Sequence, residues 1–333
     1  MKKGVVIILL SFIIMSVITS VSLSAEYVIK IADTTNVGSP AGEAVIFFGK
    51  RVEELTGGDI QVKTFLGGIL GEEKATLEEL KIGTLEMTRV ALAPMTTFNT
   101  NLNVFYLPFL FDNREQVASI SGSGTPLEKA LNTEIEKAGF KLIAWVPFGM
   151  RSIFSNKPIK SPEDLKGVKY RVMESEILVE SIKAMGGIPS VIPGAEVYTS
   201  LQTGVADAAD NDIVGYYTVK FFEVANYFNE TNQFANPALM VMSLDYFNSL
   251  PSNFQEALML AGKEAEATFT TKLQAMKEEY TKIIFSELVG KTFIPNEEID
   301  ISAFREKTKE LYEKYKCDLL DEILEYTSNY STK

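Results

Sequence analysis

The chain has 333 residues, 46% of them hydrophobic, which fits a globular protein of about two domains. A formal net charge of −12 argues against nucleic acid and anionic membrane surfaces as partners. There is no histidine and a single cysteine, Cys317, which excludes histidine metal sites, Ser-His and Cys-His nucleophile pairs and an internal disulfide.

Residues 1–25 read as an export signal: Lys2 and Lys3, an apolar run over 4–18, then small residues before a cleavage point between Ala25 and Glu26. No cysteine follows the run, so no lipid anchor is expected, and the mature protein is expected to be exported and soluble. Residues 27–32 alternate as a strand. A helix follows, with Ser39 as N-cap and Pro40 at its first position, ending at Leu55 before Gly57-Gly58. A strand over 60–65, a helix over 72–82 closed by Gly83 and a strand over 85–90 complete a βαβαβ unit with a mostly parallel sheet.

Ligands of such sheets sit beyond the carboxyl ends of the strands, where Asp33, Glu73 and Arg89 fall. Each has an ordinary alternative, Arg89 as an edge-strand ion pair and Glu73 as a first-turn acid facing the helix dipole. Gly122-Ser123-Gly124 fits neither a phosphate loop nor a nucleophile elbow and reads as a loop.

Two helical patterns and a strand over 141–148 lead to residues 149–172, GMRSIFSNKPIKSPEDLKGVKYRV. Arg151 opens one strand-like run and Arg171 lies in another, separated by a short helix with Ser161 as N-cap and Pro162 at its first position. Two guanidiniums at the ends of neighbouring strands can converge on one small anion, since the planar fork matches a carboxylate. The alternative is a pair of solvated surface arginines. Further on, Asp210-Asn211-Asp212 follows a strand and precedes Tyr216-Tyr217, either as a solvated turn with core tyrosines or as part of a site. Residues 252–288 form the longest helical pattern, interrupted only by Gly262, and 302–326 give a last helical stretch. A helix of ~36 residues spans ~54 Å, more than one small domain.

Residues 149–172, the passage LGEEKATLEELKIGTLEMTRVALAPM (70–95) and the passage GAEVYTSLQTGVADAADND (194–212) resemble the solute-binding proteins of TRAP (tripartite ATP-independent periplasmic) transporters, DctP type. The second passage is closest to the branch that binds hexuronates and related sugar acids. The resemblance implies a two-lobed α/β periplasmic binding protein of type II-like fold, with mostly parallel sheets and a long helix spanning both lobes. Lobe I is expected over 26–148 with 237–276, and lobe II over 149–236 with 277–330.

It further implies a carboxylate held by Arg171 with Asn211 and Arg151, and hydroxyls bonded by Asp33, Glu73, Arg89, Asp210 and Gln233, with Tyr216 and Tyr217 packed on the sugar. The implied ligand is a monocarboxylate sugar acid such as glucuronate or galacturonate, handed by a monomeric, non-catalytic, cofactor-free periplasmic protein to the membrane permease subunits. Two positions depart from the branch: Thr35 and Gln233 stand near its usual histidines, so hydroxyl contacts are rearranged. The alternative ligands are a C4-dicarboxylate or a 2-oxo acid. A sensory module presenting ligand to a receptor is a further alternative. A secreted carboxylate-dependent glycosidase is more distant, because its acid needs a raised pKa and the carboxylates here are interleaved with arginines.

Overall fold

The computed structural model describes residues 25–122, 124–286 and 292–330. The expected export signal, Ser123 and the expected helix end near Leu288 lie outside the described residues.

The strands form two sheets. The first has the order β2 (Ile60–Phe65), β1 (Tyr27–Asp33), β3 (Met87–Ala91), β10 (Ala238–Ser243), β4 (Phe140–Trp145). The second has the order β11 (Thr292–Ile294), β9 (Tyr227–Phe234), β5 (Arg151–Ser155), β8 (Ala208–Asn211), β6 (Lys169–Val172), β7 (Ile188–Val191). All strands of a sheet point the same way except β10 in the first and β5 in the second.

These two exceptions have one cause. The chain leaves the first sheet at the carboxyl end of β4 and enters the second as β5. It leaves the second at the carboxyl end of β9 and re-enters the first as β10. A strand that begins where its parallel neighbours end must run against them. The carboxyl ends of both parallel sets therefore face one another across the two crossings, and the result is a two-lobed α/β fold.

The helices cover the sheets as their sequences dictate. Ser39 accepts the Gly42 N–H at 3.1 Å and Pro40 opens the helix Pro40–Leu55, which buries Ala41, Ala44, Val45, Phe48 and Val52 against the first sheet. The helix Glu73–Ile82 stops at Gly83, whose φ of 76° is costly for other residues. The expected helix after Ser161 is a single 3-10 turn, Pro162–Leu165, locked by a Ser161–Asp164 capping box.

The helix Ser252–Ser286 is continuous through Gly262, and its 35 residues span about 52 Å. Gly262 is there for contact, since a Cβ would stand 2.0 Å from the Ile143 carbonyl oxygen on β4. The helix packs on Pro40–Leu55 and β4 in the first lobe and on Ile213–Thr218 in the second. Glu266, on the same helix, accepts the Trp145 N–H at 2.5 Å and the Ser121 hydroxyl at 3.0 Å, and burial pushes its carboxyl up to about 7.

The expected single stretch over 302–326 is two helices, Ile301–Lys314 and Asp318–Tyr330. Asp318 and Asp321 favour a fresh helix start, and the break redirects the chain. The first of the two packs on Glu176–Ala184 beside the second sheet, the last on Pro126–Lys137 beside the first.

Candidate functional site

At the carboxyl ends of the first sheet, strand register makes Asp33 and Arg89 direct neighbours. Arg89 is 3% exposed; its Nε donates to Asp33 Oδ1 at 2.9 Å and its Nη2 to the same oxygen. Nη1 reaches Glu73 Oε1 at 3.5 Å, and Nη2 reaches the Thr34 hydroxyl at 3.4 Å. Glu73 also accepts the Ala91 N–H at 3.0 Å, while Asp33 holds the Thr35 amide and hydroxyl. Burial raises the Glu73 carboxyl above the usual range, against the opposing pull of Arg89. Burial pulls Arg89 down, but Asp33 and Glu73 outweigh it and leave the guanidinium above its ordinary value. This cation is fully neutralised by its own lobe.

The second sheet is built differently. A register shift in the β5–β9 pairing between Arg151 and Ile153 breaks the ladder, and side chains repair it. Thr231 accepts the Ile153 N–H at 3.1 Å, and Asn229 donates to the Ile153 carbonyl at 3.0 Å. Arg151, paired with Phe234 on the other side of the shift, donates to the Asp210 carboxylate and backbone carbonyl, to Asn236 Oδ1 at 3.2 Å and to Asn211 Oδ1 at 3.4 Å. Asn211 Oδ1 further accepts the Asp212 N–H at 3.0 Å. The Asn211 side-chain amide lies over Gly215, where a Cβ would come within 2.4 Å of Nδ2.

Arg171 stands apart. It is 7% exposed, and its Nε donates to the Ile192 carbonyl at 2.8 Å. Among the described residues no carboxylate pairs with it. Burial first, then the like charge of Arg151, lower its pKa to about 10, against the pull of Asp210, Glu73 and Tyr170. It remains charged at neutral pH, and its field couples to Glu73 of the first lobe as well as to its own. A buried cation without an acid is costly to hold.

The remaining expected residues fall into two groups. Asp210 lies with Arg151, as described. Gln233 is buried, its carbonyl taking the Thr231 hydroxyl and its amide donating to the Tyr170 hydroxyl at 3.2 Å, so it acts inside the protein, behind Arg171's strand. Tyr216 takes the core position that was its ordinary alternative: it is 1% exposed, donates to the Ala225 carbonyl at 2.6 Å and packs among Phe154, Phe222 and Phe228. Tyr217 lies between Phe222 and Tyr280 of the long helix, at centroid distances of 5.4 and 4.3 Å, and packs against that helix.

Three participants escaped the sequence reading. Asn236 joins Arg151, Asn211 and Asp212 at the second crossing, donating to Asp212 Oδ2 at 3.1 Å. Its only signal was its place just before Pro237, between the two lobes. Buried Tyr106 and Tyr170 have hydroxyl pKa values pushed far up by burial, and both feel Arg151 and Asp210.

With this geometry in place, comparison decides the family. Residues 31–318 match the bacterial extracellular solute-binding proteins, family 7 (DctP). The chain belongs to that family. It is 30% identical over 305 residues to the C4-dicarboxylate-binding periplasmic protein DctP of Vibrio cholerae, covering 90% of each chain. It is also similar to the solved structure of a TRAP periplasmic solute-binding protein from Sulfitobacter sp. NAS-14.1 with bound β-D-galacturonate, at 30% identity and a TM-score of 0.83, covering 90% of this chain and 99% of that one. A TRAP periplasmic solute-binding protein from Pseudomonas putida F1 with bound D-glucuronate gives 31% identity and a TM-score of 0.80, over 89% and 96%. The solute-binding family and the two-lobed α/β fold expected from the sequence both stand.

Proposed function

We propose that the protein binds a monocarboxylate sugar acid, a hexuronate such as galacturonate or glucuronate, between its lobes and delivers it from the periplasm to the permease subunits of a TRAP transporter. The observation that carries this reading is the charge inventory of the site. Arg89 has Asp33 and Glu73, Arg151 has Asp210, and Arg171 has no acid. One uncompensated guanidinium calls for one carboxylate, which the fork of Arg171 and the Asn211 amide would receive.

The paired groups suit the rest of a sugar acid. Asp33, Glu73 and Asp210 offer acceptor oxygens to hydroxyls, and Arg89 and Arg151 keep those oxygens oriented. A C4-dicarboxylate is the second reading, supported by the similarity to the Vibrio cholerae protein. Its second carboxylate would meet Asp33 and Glu73 instead of a free cation, which disfavours it. Lobe I over 26–148 with 237–276, and lobe II over the remainder except the last helix, remain our division. An export signal cleaved near Ala25 and action as a monomer complete the reading.

The test is a thermal-shift screen of the mature protein against hexuronates, aldonates, C4-dicarboxylates and 2-oxo acids, repeated with Arg171→Ala. A ligand that binds only the folded state raises the melting temperature by mass action. The expected result is a shift with galacturonate or glucuronate that the variant loses. A shift with succinate or malate alone would overturn the sugar assignment.

A further inference from the structure

The turn that follows β6 joins the lobes at two points without touching the arginines. Glu174, three residues beyond Arg171, pairs with Lys74 at 2.7 Å, and Lys74 is the neighbour of Glu73 on the first lobe. Both side chains are open to solvent, at 40% and 46% exposure. The next residue, Ser175, donates to Asn103 Oδ1 at 3.0 Å in a fully buried contact with the 3-10 helix Thr100–Tyr106. Asn103 is itself fixed by donating to the Thr100 carbonyl at 3.0 Å.

Ser175 is also the N-cap of the helix Glu176–Ala184, with the extended backbone that position requires, yet its side chain makes no capping bond. A serine there ordinarily accepts an N–H from the first turn, and losing that bond costs about 0.5–2 kcal/mol. Here the hydroxyl is turned away from its own helix toward the other lobe. Opening the lobes would separate Ser175 from Asn103.

We propose that Glu174 and Ser175 form a closure latch: with the lobes closed they grip Lys74 and Asn103, and with the lobes open both contacts are lost. The latch resists opening without contacting the ligand, so it sets how long the ligand stays. Lys74, Glu174, Ser175 and Asn103 are positioning residues for a binding step that rests on the sugar-acid reading above. Opening breaks one exposed ion pair and one buried hydrogen bond, which together place the effect on the release rate at several-fold.

Release of radiolabelled D-galacturonate, or of D-glucuronate, is followed by rapid chase with excess unlabelled ligand for wild type, Lys74→Glu, Glu174→Lys, the double swap, Ser175→Ala and Ser175→Thr. Each single reversal is expected to speed release about two- to fivefold with little change in the association rate, and the double swap to restore it. Ser175→Ala is expected to speed release about two- to tenfold, and Ser175→Thr, which keeps the hydroxyl, to stay near wild type.

Small-angle scattering of the ligand-free proteins separates this proposal from the ligand assignment, because it needs no ligand. If neither sugar acid binds, the sugar-acid reading fails, while a larger radius for the single reversals than for the swap still supports the latch. Equal release rates, or equal radii where no acid binds, would overturn it, as would a swap that fails to restore.

Discussion

Arg89 and Arg171 make an instructive pair. Both are buried guanidiniums on parallel strands near the facing ends of the two sheets, and both feel Glu73. Arg89 is met by Asp33 through strand register and by Glu73 from the next helix, so its pKa ends above the ordinary value. Arg171 is met by a backbone carbonyl and by the like charge of Arg151, and its pKa falls to about 10. The first is part of the scaffold before any ligand arrives. The second has no acid partner among the described residues, and in the function proposed above its partner comes from outside.

The contrast is broken most severely by removing Arg89. Arg89→Met leaves Asp33 and Glu73 buried without their cation and is expected to destabilise the ligand-free fold by about 3–5 kcal/mol, read by chemical denaturation. Arg171→Met should do the reverse. Ligand-free stability is expected to hold or rise, because a desolvated, unpaired charge is removed, while sugar-acid binding weakens by about 2–5 kcal/mol.

Glu266 sharpens the point, as an unpaired buried acid with no place in the ligand site. Its folded pKa of about 7 lies above its ordinary 4.5, so the folded state holds the proton more tightly than the unfolded one. Its favourable contribution is therefore complete below about pH 4.5 and is lost as pH rises through 7. Glu266→Gln is expected to stabilise the protein at pH 8 by about 1–3 kcal/mol and to flatten the stability–pH curve across that window, without altering ligand affinity. The smallest effect belongs to Tyr216→Phe. It loses one buried hydrogen bond, about 1 kcal/mol of stability, with affinity unchanged, whereas a ring stacked on the sugar would show in binding.

Much of the architecture was legible because local chemistry and global fold agree there. Ser39-Pro40, Gly83 and Ser161-Pro162 punctuate the chain as their side chains and φ angles require. β9 was illegible for a physical reason: its buried positions include Asn229, Thr231 and Gln233, which satisfy backbone and side-chain groups around the register shift, so the strand lacks an apolar alternation. The arginines and acids of the proposed site were candidates from sequence, but their pairing was not legible there. Which carboxylate meets which guanidinium depends on strand register and on the crossing between lobes, as with Asp33–Arg89 and Arg151–Asp210. The tyrosines stayed open because the spacing of Tyr216-Tyr217 puts one ring in the core and the other on the long helix, a distinction set by packing against Tyr280, far along the chain.

The most direct test of the account is calorimetric titration of wild type and Arg171→Met with D-galacturonate, D-galactose and succinate. The account predicts that wild type binds the sugar acid far more tightly than the neutral sugar or the dicarboxylate, and that the variant loses the preference for acid over sugar. Undiminished galacturonate binding by Arg171→Met, or tighter binding of succinate than of galacturonate by wild type, would contradict it.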